Sequence, residues 1–234
     1  MLLEIKGLLF DNDGVLVDSH PAAKAAWDQW STEYGQDFDI DQNAGRRAQD
    51  LVLAMVGADL FEVANDRINQ LEQDTANETV ALGGAVKLLH SLTPGTWTVC
   101  TSANKNLGRA RLAAAGLPIP AELVTADDVE LGKPNPDPYL LGASRLGLAA
   151  GECVVFEDAE AGVIAAIEAG VRIEAIPGPA AFVAALKPAE ILALVSASFS
   201  LAASAFFPAM VCGLISARVD RRAAVAGMLV GPLV

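Results

Sequence analysis

Gly7-Leu8-Leu9-Phe10-Asp11-Asn12-Asp13-Gly14-Val15-Leu16-Val17-Asp18-Ser19 is the stretch on which the fold of this chain turns. Its apolar opening, preceded by Ile5-Lys6 and closed by a Gly turn, predicts a buried strand of a parallel sheet. Asp11 and Asp13 then fall just past the carboxyl end of that strand, where open α/β sheets place their ligands. Carboxylates at i and i+2 suit a Mg²⁺-assisted attack on phosphorus. One serves as nucleophile and metal ligand, and its neighbour protonates the leaving oxygen. Alone, the same residues also fit an Asp/Gly-rich surface turn; the motifs downstream decide between the two.

The chain has 234 residues, enough for one large domain or two small ones. A net charge of −13 argues against a nucleic-acid partner or an anionic membrane surface, since both need basic patches. It also repels phosphorylated molecules at long range, so a phosphate site must carry its own cations. Cys100, Cys153 and Cys212 are odd in number and scattered, which suits a reducing cytoplasm and fits neither a disulfide framework nor a zinc site. Met1 to Lys6 lacks the basic-then-apolar order of a signal peptide. His20 and His90 are the only histidines, a poor supply for phosphohistidine chemistry.

Beyond the first strand, Ser19 and Pro21 read as a helix cap and first turn, followed by a helix over 22–36 with Trp27, Trp30 and Tyr34 on one face. Residues 43–56 and 59–78 predict two more helices, and no strand is expected between about 19 and 92, which makes this stretch a helical insertion. Gly83-Gly84 opens a further helix leading back to the sheet. From residue 96 strands and helices alternate. Strands are expected at 96–101, 123–125, 153–156 and 171–176, with helices at 104–115, 137–146 and 159–169. Such alternation means βαβ units and a doubly wound parallel sheet of the α/β class.

Four strand ends carry polar groups: Asp11 and Asp13, Thr101-Ser102, Lys133 in Gly132-Lys133-Pro134, and Glu157-Asp158. The carboxylates make a hard oxygen site suited to Mg²⁺. A lysine, a hydroxyl and neighbouring backbone N–H groups supply what a transferring phosphoryl group needs. Each alone has a plainer reading, such as a strand-end turn, a solvated loop or an acidic helix cap. All four plain readings would have to hold together to displace the phosphoryl-transfer one.

In these residues the chain resembles the haloacid dehalogenase-like superfamily, in the subgroup with a small helical cap after the first strand. The resemblance covers about residues 4–176, through Asp11-Asn12-Asp13-Gly14-Val15-Leu16-Val17-Asp18-Ser19, Thr101-Ser102-Ala103-Asn104, Gly132-Lys133-Pro134-Asn135-Pro136-Asp137-Pro138-Tyr139 and Phe156-Glu157-Asp158-Ala159-Glu160-Ala161-Gly162. It implies a catalytic core of residues 1–18 and 93–176 and a cap of residues 19–92. It also implies Asp11 as the nucleophile that becomes an aspartyl phosphate, and Asp13 as general acid/base that lends its backbone carbonyl to Mg²⁺. Ser102 is expected to hold the phosphate, with Thr101 as the alternative one residue away. Lys133 pairs Asp11 with the phosphate, and Asp158 with Glu157 completes the metal site.

The cap stretch Ala44-Gly45-Arg46-Arg47-Ala48-Gln49-Asp50 resembles a motif of sugar- and polyol-phosphate phosphatases. Arg47 is then expected to reach the substrate, with Arg46 beside it. Ala44 and Ala48 stand where histidine and threonine are common in that motif. Ala103, Asn104, Lys105 and Asn106 follow the second motif and are expected near the substrate. The expected activity is a Mg²⁺-dependent phosphatase for a small sugar or polyol phosphate. A β-phosphoglucomutase-like mutase, a phosphoglycolate-type phosphatase and an inactive membrane-associated fusion product are the alternatives.

Residues 177–190 read as a linker, and 191–234 as an apolar tail. Residues 191–217 carry no charge over 27 positions, more than the about 20 a bilayer span requires. Thirteen of them are Ala, Ser or Gly, and Pro208 interrupts the run, which suits packing among membrane helices. Ala197 to Ala209, continuing through Arg218 to Gly231, resembles a fragment of an acetate-type sodium/solute symporter too short to imply transport. A fused remnant that anchors the enzyme, or that lies as a poorly packed helix, is the expectation.

Overall fold

The computed structural model describes residues 5–175. The linker, the apolar tail, the symporter resemblance and the membrane association expected at 191–217 all lie outside these residues. Among the described residues, no helix is long and apolar enough to cross a membrane.

The chain runs β1 (Gly7–Phe10), β2 (Val17–Asp18), α1 (His20–Tyr34), α2 (Ala48–Val56), α3 (Ala58–Asp74) and β3 (Val80–Ala81). It continues through α4 (Ala85–Ser91), β4 (Trp97–Val99), α5 (Lys105–Ala114), α6 (Asp137–Arg145), β5 (Cys153–Glu157), α7 (Glu160–Glu168) and β6 (Arg172–Ala175). Four strands form a parallel sheet in the order β4-β1-β5-β6. Both faces of β1 are covered, which is why it reads as a continuous apolar run. Leu8 and Phe10 pack with Leu88, Leu89 and Leu112 from α4 and α5. Leu9 faces the other way, into a cluster with Tyr139, Ala143, Ala165 and Ala166 from α6 and α7.

Register places the chemistry. Phe10 lies opposite Val99 on one side and Phe156 on the other, so the residues just beyond these positions emerge along one edge of the sheet. Two bonds lock that edge: Asp11 N–H donates to the Phe156 carbonyl at 2.9 Å, and Cys100 N–H to the Phe10 carbonyl at 2.8 Å.

The inserted helices form a second core in which Trp27, Trp30, Val52, Ala64 and Ile68 are buried together. Trp27 stacks on Phe38 at 4.2 Å between ring centroids, and Trp30 on Tyr34 at 4.8 Å. Trp30 is fully buried and its Nε1–H donates to the Ala64 carbonyl at 2.8 Å, which pins α1 to α3.

Several sequence expectations shift. The stretch expected to lack strands contains β3, which pairs antiparallel with β2 through Val17↔Ala81 and Asp18↔Val80. This ribbon is where the chain leaves the core and returns to it. α4 falls within the expected cap limits, yet its Ala85, Leu88 and Leu89 belong to the core cluster under the sheet. Residues 41–43 form a 3-10 turn apart from α2, because Gly45 at φ +77° breaks the helix between them. Residues 123–125 make only a single bridge, Cys100↔Val124, since Thr125 turns away into a capping box closed by Asp128. Ser19 precedes α1 without capping it; its hydroxyl is engaged by Asp13 instead.

Candidate active site

Asp11 sits at the tip of β1 and is 5% exposed. Lys133 reaches it from the loop before α6, with Nζ 2.5 Å from Asp11 Oδ1 and 2.9 Å from Glu157 Oε1. Lys133 is itself buried, and its ammonium lies 5.0 Å from the centre of the Tyr139 ring. Glu157, at the end of β5, is completely enclosed. The Tyr139 hydroxyl donates to its Oε1 at 3.1 Å, and the backbone N–H groups of Asp158 and Ala159 donate to its Oε2.

Asp11, Glu157 and Asp158 each offer an oxygen within 4.8 Å of the others. Burial, with Glu157 nearby, pushes the Asp11 carboxyl up to about 7 against the pull of Lys133. Burial and the same neighbour push Asp158 up to about 9. The Asp158 Oδ1 is buried and accepts no hydrogen bond. One lysine thus faces two buried carboxylates and a third, part-buried one, which carries the unpartnered oxygen. The donor set fits a hard divalent cation such as Mg²⁺. Gly14, at φ +87°, makes room: a Cβ there would strike the Asp158 carboxylate.

Asp13 faces this cluster from the turn after β1. Its Oδ1 accepts from Ser19 Oγ at 2.5 Å and lies 3.1 Å from Arg111 Nη1; its Oδ2 is 3.4 Å from Thr101 Oγ1. The two hydroxyls of the second motif part company here. Thr101 is buried beside Asp13 and accepts from the Ala103 N–H at 3.1 Å. Ser102 turns to the cap, where its hydroxyl donates to the Gly45 carbonyl at 2.6 Å. Ser102, the residue expected to hold phosphate, thus lines the cleft while bonded to the cap, and its alternative Thr101 is buried behind Asp13.

The cap closes a cleft of about 260 Å³ over these residues. Arg47 lines it but does not extend freely into it. Its guanidinium forms a two-point bridge with Asp50 at 2.8 Å and donates to the carbonyls of Val129 and Glu130 at 3.0 Å. The arginine expected to meet the substrate thus ties the cap to a core loop. Arg46 is exposed on the same wall. Asn104 accepts from the Leu107 N–H, capping α5, and donates to Asn69 of α3 at 3.0 Å. Asn65 adds a buried Oδ1 that accepts no hydrogen bond.

Sequence reasoning gave no role to Tyr139, quoted only as the end of the third motif, and passed over Glu72 and Arg111. Arg111 alone carried a signal, as a basic residue seven positions after Asn104 and four after Leu107, on the inner face of α5.

Residues 5–170 match the family model described as haloacid dehalogenase-like hydrolase. The chain belongs to this family. Hexitol phosphatase A of Escherichia coli is 40% identical over 185 residues, covering 76% of this chain and 86% of the relative. Glycerol-1-phosphate phosphohydrolase 2 of Saccharomyces cerevisiae is 33% identical, covering 73% of this chain and 74% of its own. Among solved structures, a hydrolase from Pseudomonas syringae superposes with a TM-score of 0.68 at 24% identity, over 81% of this chain and 90% of that one. That likeness carries the α/β fold. The family and its phosphatase members set the enzyme class: this haloacid dehalogenase-like hydrolase is a phosphatase.

Proposed function

We propose that the chain hydrolyses a small sugar or polyol phosphate, with Mg²⁺, through an aspartyl phosphate formed on Asp11. The single observation that carries this is Asp11 held by Lys133 beside Glu157 and Asp158, at the floor of a cleft whose cap wall is lined with amides. The substrate class is supported by the relatives, a hexitol phosphatase and a glycerol-1-phosphate phosphohydrolase.

Asp11, Glu157, Asp158 and the Asp13 backbone carbonyl would hold the cation. When bound, it neutralises the carboxylates and the phosphoryl oxygens. The Asp11 carboxylate attacks phosphorus, and the ester P–O bond breaks as the Asp13 carboxyl gives its proton to the departing alcohol oxygen. A water molecule then attacks the aspartyl phosphate while the Asp13 carboxylate takes its proton, which releases phosphate and restores Asp11. Lys133 orients Asp11, and the Ser102 hydroxyl, which lines the cleft, holds the phosphoryl oxygens with the neighbouring amides. Asn65, Asn69 and Arg46 face the remainder of the substrate, where carboxamides suit hydroxyl groups.

The test is phosphate release from a panel of hexose, hexitol and glycerol phosphates and a nucleoside monophosphate, with and without Mg²⁺. Turnover of the polyol and sugar esters is expected, lost on chelation and in Asp11→Asn. Full activity in Asp11→Asn would overturn the nucleophile assignment. Isomerisation of a hexose 1-phosphate to the 6-phosphate, in place of phosphate release, would make the enzyme a mutase.

A further inference from the structure

Arg111 is a buried cation that the steps above leave unused. It sits on α5 in the core, and its guanidinium splits between two carboxylates. Nη1 lies 3.1 Å from Asp13 Oδ1, and Nη2 lies 3.1 Å from Oε1 of Glu72. Glu72 belongs to the last turn of the cap helix α3 and is also buried. One side chain therefore joins the core acid to the cap.

Asp13 has little else to fix it. Its Oδ1 is held by Arg111 and by Ser19, the residue at which the chain enters α1. Its Oδ2 lies 3.4 Å from both Thr101 Oγ1 and Asn12 Nδ2, longer contacts than those on Oδ1, and is the oxygen left for proton chemistry. A guanidinium can bridge two carboxylates because its N–H groups form a rigid planar fork, whereas a lysine ammonium is a point charge on a flexible stem. A pair that served only to latch the cap would need Arg111 and Glu72; the second nitrogen is spent on Asp13.

We infer that Arg111 is a positioning residue for Asp13, and that Glu72 makes this positioning depend on the seating of the cap. With the cap seated, Glu72 holds the guanidinium in place and Arg111 presents Asp13 with Oδ2 toward the substrate. When α3 moves away, the fork loses one anchor and Asp13 loses its fixed orientation. Proton donation to the leaving oxygen is thereby confined to the closed enzyme. The inference rests on the phosphatase reading above, with Asp13 as the proton donor.

Leaving groups separate positioning from a merely structural role. An alkyl phosphate such as glycerol phosphate leaves as a strongly basic alkoxide unless it is protonated, whereas p-nitrophenyl phosphate releases a stabilised phenolate that needs no proton. The experiment measures kcat/KM, which reports phosphoryl transfer to Asp11, for both esters with Mg²⁺. It uses the full chain as wild type, Arg111→Lys and Glu72→Gln, with Asp13→Asn to show the bias produced by complete loss of the acid. Arg111→Lys is expected to lower kcat/KM for the alkyl ester by about 30- to 100-fold and for the aryl ester by less than about 3-fold. Glu72→Gln keeps an acceptor for Arg111 and is expected to show a smaller loss with the same bias. It carries the test alone if Arg111→Lys does not fold. Equal losses on both esters, or none, would overturn the inference and leave the phosphatase reading standing. A wild-type enzyme that releases phosphate from neither ester would overturn both.

Discussion

Lys133 Nζ lies 2.5 Å from Asp11 Oδ1, with the lysine side chain fully enclosed and the aspartate side chain 7% exposed. The two residues are 122 positions apart, and they meet because β1 and the loop before α6 end on the same edge of the sheet. Burial alone would lower the lysine, but Asp11 and Glu157 outweigh it and hold its ammonium well above the ordinary range. Lys133 is therefore a fixed positive charge, which is what an attacking carboxylate and an incoming phosphate both require.

Replacing Lys133 with Met removes that charge and leaves Asp11 and Glu157 buried without it. Removing one partner of a buried ion pair costs about 3–5 kcal/mol. A loss of that order is expected in urea unfolding of the metal-free protein, together with a fall in kcat/KM of at least about 100-fold. Unchanged stability would mean that the two carboxylates are already neutral in the folded protein.

Metal binding is expected to be linked to protons. In the folded protein without a cation, Asp11 is raised to about 7 and Asp158 to about 9, above the ordinary 3.8. The folded state then binds more protons than the unfolded chain, so these groups favour folding in acid. That contribution is lost as pH rises through about 7 and 9. A divalent cation needs the deprotonated carboxylates and reverses the penalty. The rise in Tm on adding MgCl₂ is therefore expected to be larger near pH 9 than near pH 5. Calorimetry in buffers of different ionisation enthalpy should show proton release on binding. Equal shifts at both pH values would rule the linkage out.

Strands β1 and β5 were legible because each is an apolar run with a carboxylate at its tip, and Asp11 and Asp158 converge as that pattern requires, with Lys133 reaching them from a loop and not from a strand end. What stayed hidden depends on contacts that leave no periodic trace. Two-residue strands such as β2 and β3 are too short for alternation to show, so the ribbon beneath the cap was invisible. Thr101 and Ser102 are adjacent hydroxyls, and only the end of β4 decides that Ser102 lines the cleft while Thr101 is buried beside Asp13. Ser19 looked like a helix cap because its sequence position is right for one, yet the Asp13 carboxylate takes its hydroxyl. Tyr139 and Glu72 lie on helices as ordinary interior-facing residues, and nothing local announces that each binds a buried charged group.

The cap has a core of its own, so damage to it should remain there. Trp30→Phe keeps an aromatic ring but removes the indole N–H bond to the Ala64 carbonyl, which joins α1 to α3. A cost of about 0.5–1.5 kcal/mol is expected. Hydrogen exchange should quicken across α1 and α3 while the amides of β1 and β5 keep their protection. Equal acceleration in the sheet would show that cap and core unfold as one unit.

Arg47 offers a sharper choice, because two roles for it predict different measurements. Its bridge to Asp50 and its bonds to the Val129 and Glu130 carbonyls cross from the cap to a core loop beside Gly132, where an added Cβ would strike the arginine side chain. Arg47→Ala removes those bonds and leaves part-buried carbonyls without a donor. A stability loss of about 1.5–3 kcal/mol is expected, with faster hydrogen exchange on both sides of the seam, at 46–52 and 129–132. KM should rise as well, because the cap wall that carries Arg46 is no longer held in place. A residue that only contacted substrate would raise KM and leave unfolding and exchange in the free enzyme untouched. Unfolding of the ligand-free variant therefore decides whether Arg47 holds the wall or reads the substrate.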